Sequence, residues 1–116
     1  MNWRNGITFV LLMAVISIKC VAAGTYLGAG GATCAYWAEV RRDYPAGKVA
    51  VELWLLGYVS GLNFALYSDR GIDLLENQSR ESVLGFVEGY CATNPGRTLN
   101  NAANEYWVQR MKAFAR

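Results

Sequence analysis

The sequence predicts an all-α fold: a compact bundle of about four helices with one disulfide, preceded by a signal peptide. Three observations carry this. Apolar residues recur at 3–4 spacing in four stretches, separated by breaks rich in Gly, Pro and Asn. No stretch of useful length shows the alternation of a strand. Two cysteines remain once the N-terminal export segment is set aside, and an even pair in an oxidising compartment reads as a disulfide.

The export segment comes first. Arg4 makes the start basic, an apolar run follows from Ile7 to Ile18, and Val21-Ala22-Ala23 places small residues before Gly24. Basic start, apolar stretch and small residues together describe a secretory signal peptide, residues 1–23, cleaved after Ala23. A permanent anchor fits less well, because the run is short of the roughly 20 residues that a bilayer core needs, and Lys19 interrupts it. Lys19 also stands where a lipidation signal at Cys20 wants a small residue.

Residues 24–32 (GTYLGAGGA) read as a flexible glycine-rich leader, and residues 33–116 as the helical domain. Thr33 offers an N-cap for a first helix to about Asp43, with Cys34, Trp37, Ala38 and Arg41 on its inner stripe. Pro45-Ala46-Gly47 breaks it. The second helix, about Lys48 to Ser68, is the most hydrophobic part of the domain. Val51, Trp54, Leu55, Tyr58, Leu62 and Ala65 form one stripe, and Leu53, Gly57, Ser60, Gly61 and Phe64 cover another side. A helix apolar nearly all round is expected to be buried on several sides. Asp69-Arg70-Gly71 ends it.

Ser79 caps a third helix to Thr93, with Val83, Phe86, Val87, Tyr90 and Cys91 pointing inward, and Asn94-Pro95-Gly96 stops that helix. Thr98 caps a fourth helix to the C-terminus, its inner stripe being Leu99, Ala103, Trp107, Met111 and Phe114. The bridge Cys34–Cys91 would tie the first helix to the third. Closing a loop of 57 residue steps, it is worth about 4 kcal/mol in the chain-entropy model. The alternative is two buried free thiols.

Charge excludes one class of function. The chain carries 11 Lys and Arg against 9 Asp and Glu; the leader takes Arg4 and Lys19, leaving 9 against 9 and a net charge of zero. That is not the basic footprint of a nucleic-acid binder.

Chemistry is also sparse. The chain has no histidine, which removes the commonest general base and metal ligand. Neither a metal nor another cofactor is expected. Glu39 and Asp43 beside Arg41 and Arg42 read as a solvated face. Asp69, Asp73 and Glu76 lack the ligand spacing of a calcium loop. Glu52, on an apolar helix, is either partly buried or marks that helix's wet edge. These groups point away from an enzyme.

Gly57 and Gly61 form a GxxxG pair, which with Trp54 and Tyr58 reads as a helix-packing site in a soluble bundle. Whether the helix it meets belongs to the same chain or to a second subunit stays open, so a homodimer is possible. No stable membrane span is expected after signal cleavage. Tyr44, Tyr67 and Tyr106, together with Tyr26, are expected near the surface, where exposed aromatics favour partner binding.

In order, the landmarks are Cys34-x-x-Trp37, WLLGYVSGLN from Trp54 to Asn63, YCATNP from Tyr90 to Pro95, and TLNNAA from Thr98 to Ala103. They resemble small exported bacterial helical proteins of two kinds. One is the type VI secretion amidase immunity family, similar in its Gly-Tyr-x-x-Gly helix and in a late Pro followed by an Ala-rich helix. The other is the HdeA/HdeB-type acid-stress chaperones, similar in carrying two cysteines with Asn-Pro after the second. The first resemblance implies a periplasmic module that binds and blocks a cell-wall hydrolase. The second implies a dimeric holdase for unfolded clients, opened by acid; protonating nine carboxylates would take the net charge from 0 to +9.

Overall fold

The computed structural model of the chain describes residues 27–116. The signal peptide and Tyr26 lie outside the described residues. Four helices form the fold: α1 (Cys34–Asp43), α2 (Pro45–Arg70), α3 (Arg80–Thr93) and α4 (Leu99–Phe114). Among the described residues no strand forms. A single antiparallel bridge joins Thr33 to Thr98.

Three predicted caps hold their helices. The Thr33 hydroxyl accepts from the Tyr36 amide. Ser79 and Thr98 each form a capping box, with Ser82 and Asn101 reaching back to the cap residue's amide. Because Thr33 and Thr98 pair, the N-termini of α1 and α4 are laced together. Cys34 N donates to Arg97 O and Leu99 N to Ala32 O, at 2.8 and 2.9 Å.

Pro45 does not end α1 by breaking the chain; it opens α2 as its first residue. Its fixed φ and missing N–H suit that position, so the connection shrinks to Tyr44 alone. Gly71 closes α2 with φ at +67°, a left-handed conformation that glycine adopts without a Cβ clash.

The core draws on all four helices: Cys34, Trp37 and Val40, then Val51, Leu55 and Val59, then Val83, Val87 and Cys91, then Leu99, Ala102, Ala103 and Tyr106. Cys34 and Cys91 are bonded, with Cα atoms 4.9 Å apart, and join α1 to α3 as expected. Three expected stripes shift. In α1 Val40 is buried and Ala38 exposed, because the 3.6-residue period places 34, 37 and 40–41 on one side. In α2 only Val51, Glu52, Leu55 and Val59 are buried, and Ala65, Leu53 and Phe64 are exposed. The bundle covers one side of α2 and stops at Val59.

In α4 the buried set is Leu99, Asn100, Ala102, Ala103 and Tyr106, while Met111 and Phe114 are exposed. Tyr106 was expected at the surface, but it is 4% exposed. Its ring meets Phe86 edge-on at 5.5 Å, and its hydroxyl donates to Gln78 Oε1 at 3.1 Å. An apolar ring with one polar end satisfies itself in such a site.

Residues 28–32 also differ from the expected loose leader. A 3₁₀ turn, Ala29–Gly31, lies against α2 and α4, and Gly30 is buried. Trp54 Nε1 donates to Leu27 O at 3.0 Å, so this stretch straps the indole down.

Candidate functional site

The two long helices outrun the core at their C-terminal ends. The last buried residue of α2 is Val59 and that of α4 is Tyr106, yet the helices continue to Arg70 and Phe114. Between these ends lies an open groove of about 470 Å³, lined by Leu66, Arg70, Ile72, Leu74, Met111 and Phe114. Arg70 is the charged group of the lining; its Nε donates to the neighbouring Asp69 at 3.2 Å.

The loop that floors this groove is held from three directions. Asn63 accepts from Leu74 N and donates to Asp73 Oδ1, both at 2.8 Å. Arg110 Nε donates to Leu74 O at 3.0 Å, and Tyr106 reaches Gln78. Leu74 is thereby buried beneath the groove. The groove is thus built into the fold by side chains that fix its backbone.

The residues expected to matter are scattered over several places. Trp54 and Tyr58 stack at 5.1 Å between centroids with an 11° tilt, and Tyr58 donates to Asn104 Oδ1 at 2.8 Å. Both are partly buried against the core. Gly57 and Gly61 are not. Both are exposed, and a Cβ added to either would meet nothing within 4 Å. Of the two placements left open, the close approach of a helix of the same chain is absent there among the described residues, the buried residues of α2 (Val51, Glu52, Leu55 and Val59) lying on its other side. Tyr44 and Tyr67 are exposed as expected. Tyr67 sits beside the groove end of α2 and Tyr44 at the other end of that helix, so the two do not form one patch. Tyr36, exposed on α1, was not among the aromatics expected at the surface.

The carboxylates do not converge. Asp43 pairs with Arg42, whose guanidinium is raised above its ordinary pKa first by that hydrogen bond and then by the adjacent charge. Glu88 pairs with Arg41 across α1 and α3 at 2.7 Å. Glu52 is 7% exposed and bonds Arg80 of α3, with Lys48 at 3.9 Å. Its burial is therefore compensated by partners, the usual condition for a charge inside a fold. Among the described residues no three Cys, Asp or Glu side chains group as a metal site would require.

By length and composition α2 qualifies as a membrane span, with 22% of its apolar window buried. The same helix supplies Val51, Leu55 and Val59 to the core. Compared with protein-family models, with curated proteins and with solved structures, the chain matches none of them.

Proposed function

We propose that this chain is a non-enzymatic periplasmic protein-binding module, immunity- or inhibitor-like, that receives an apolar anchor of its partner in the groove between the ends of α2 and α4. The observation that supports this reading is the groove itself. Met111 and Phe114 stand exposed over a floor that hydrogen bonds hold open, and binding energy concentrates where apolar anchors fill preformed pockets. Arg70 at the rim suits an acidic group beside that anchor. A cell-wall hydrolase is the partner class that the immunity-like resemblance suggests.

The second reading is an acid-stress holdase. The ion pairs Glu52–Arg80 and Arg41–Glu88 favour it, since they join α2 to α3 and α1 to α3, and acid denaturation in general works through paired carboxylates.

One pH series separates the two. Circular dichroism, tryptophan fluorescence and suppression of client aggregation are followed from pH 7 to pH 2 on wild type and on Met111→Asp/Phe114→Asp. An inhibitor keeps its fold and protects no client, and at pH 7 it forms a one-to-one complex with a peptidoglycan amidase that the double variant loses. Reversible loosening with client protection only in acid would overturn that reading in favour of the holdase.

A further inference from the structure

A row of α2 turns away from both the core and the groove. Ala50, Leu53, Gly57, Ser60, Phe64 and Tyr67 follow one another at steps of 3, 4, 3, 4 and 3, and all six are exposed. That spacing is the a/d seam of a helix that pairs with another helix. Of the α2 residues that line the groove, Arg70 lies about a third of a turn from this row and Leu66 nearly half a turn, at 3.6 residues per turn. The row carries no charge: the charged residues of α2 before Asp69 are Lys48 and Glu52, and both face the Arg80 side.

We infer that this face docks a second copy of the same chain, with the two α2 helices antiparallel and crossing at Gly57 and Ser60. A two-fold interface must be complementary to itself, and this row is. Reversing it about its centre sets Gly57 against Ser60, Leu53 against Phe64 and Ala50 against Tyr67. Small residues meet at the crossing, bulky ones flank them, and the small Ala50 leaves room for Tyr67. Antiparallel pairing also sets each helix's positive N-terminus beside its partner's negative C-terminus.

The glycine explains why the occupant is a helix. Gly57 inside a helix weakens it, and nothing among the described residues approaches closely enough to make use of the missing Cβ. A lipid surface gains nothing from Gly57 and Ser60 at the middle of the face, and the one basic residue beside the row, Arg70 a turn past Tyr67, is already paired with Asp69. A partner helix gains a close crossing. Leu53, Phe64 and Tyr67 are 61%, 73% and 57% exposed, so with their neighbours they offer about 500 Å² per copy, given the size of aromatic side chains. The pair then buries about 1,000 Å², the lower edge of a specific interface, which implies a reversible dimer.

The test uses protein exported and matured by a bacterial host, its N-terminus read by mass spectrometry. Sedimentation equilibrium is run from 1 µM to 1 mM on wild type, Gly57→Leu and Phe64→Ser. Wild type should dimerise within this range, and each variant should raise the dissociation constant at least tenfold. Gly57→Leu should at the same time melt no lower than wild type as a dilute monomer, since its side chain enters open space and glycine is the weaker helix former. Phe64→Ser changes an exposed side chain and provides the second reading should the leucine variant misfold. A wild type monomeric to 1 mM would overturn the inference. So would a dimer that both variants leave intact, or a monomer that binds vesicles of phosphatidylcholine and phosphatidylglycerol through this face.

Discussion

Gly30 and Gly31 are neighbours in one glycine-rich turn, yet the structure assigns them opposite tolerances. A Cβ on Gly30 would lie 2.3 Å from two ring carbons of Trp54 and 3.1 Å from a third. The indole cannot easily retreat, being stacked on Tyr58 and bonded through Nε1 to Leu27 O. Gly30→Ala must therefore lift the strap. Overpacking of this kind costs about 1–3 kcal/mol, and the lost indole hydrogen bond adds about 1 kcal/mol. The expected loss is about 2–4 kcal/mol, a fall in Tm on the order of 10–20 °C for a domain of this size. Gly31→Ala meets nothing within 4 Å and should be neutral, or gain up to about 1 kcal/mol by restricting the unfolded chain. Urea unfolding followed by tryptophan fluorescence measures both. Superimposable curves for the two variants would refute the strap and restore residues 28–32 as a loose leader.

Cys34→Ala/Cys91→Ala removes a bridge across 57 residues and should cost about 4 kcal/mol, seen as a lower urea midpoint with the helical circular dichroism retained at low urea; a loss under about 1 kcal/mol would contradict the constraint. Asn63→Ala removes both hydrogen bonds to the 73–74 loop and should cost about 2 kcal/mol, with faster amide exchange at Leu74 as the specific sign. Asn100 is buried, and among the described residues no hydrogen bond reaches its Oδ1. Asn100→Leu should therefore be neutral or stabilising by about 1 kcal/mol in thermal melts, because an unpaired buried acceptor costs about that or more; a clear loss would mean the amide is satisfied in solution.

Much of the fold was legible because local chemistry and the fold agree. Thr33, Ser79 and Thr98 are caps by residue type and are caps in space. Cys34 and Cys91 fall on inner faces and meet. What periodicity could not reveal was where burial stops. The α4 stripe continued at regular spacing to Met111 and Phe114, and nothing in the spacing marks Tyr106 as the last buried residue. The second apolar side of α2 carried a similar ambiguity: Leu53, Gly57 and Phe64 look alike in sequence whether a helix of the same chain covers them or none does. The strap was missed for a different reason. Gly28 to Gly31 read as flexible by composition, while their compactness depends on Trp54, more than twenty residues later in the chain. Long-range contacts of that kind leave no local pattern.

The disposition of the constraints also bears on which function the domain can perform. The disulfide and the Arg41–Glu88 pair both join α1 to α3, and the covalent bridge holds that half together whether or not carboxylates are charged. α2 is tied to α3 by Glu52–Arg80 and to α4 by Tyr58–Asn104, and the groove hangs on the free ends of α2 and α4. Besides the Glu52–Arg80 pair, Tyr58, Leu55 and Val59 hold α2 to the core without any charge. The apolar groove and the outward row of α2 are already on the surface with every ion pair intact. Unfolding is thus not needed to present apolar area, which is the step an acid-opened holdase relies on. A module that meets its partner folded, at neutral pH, uses the surface as it stands.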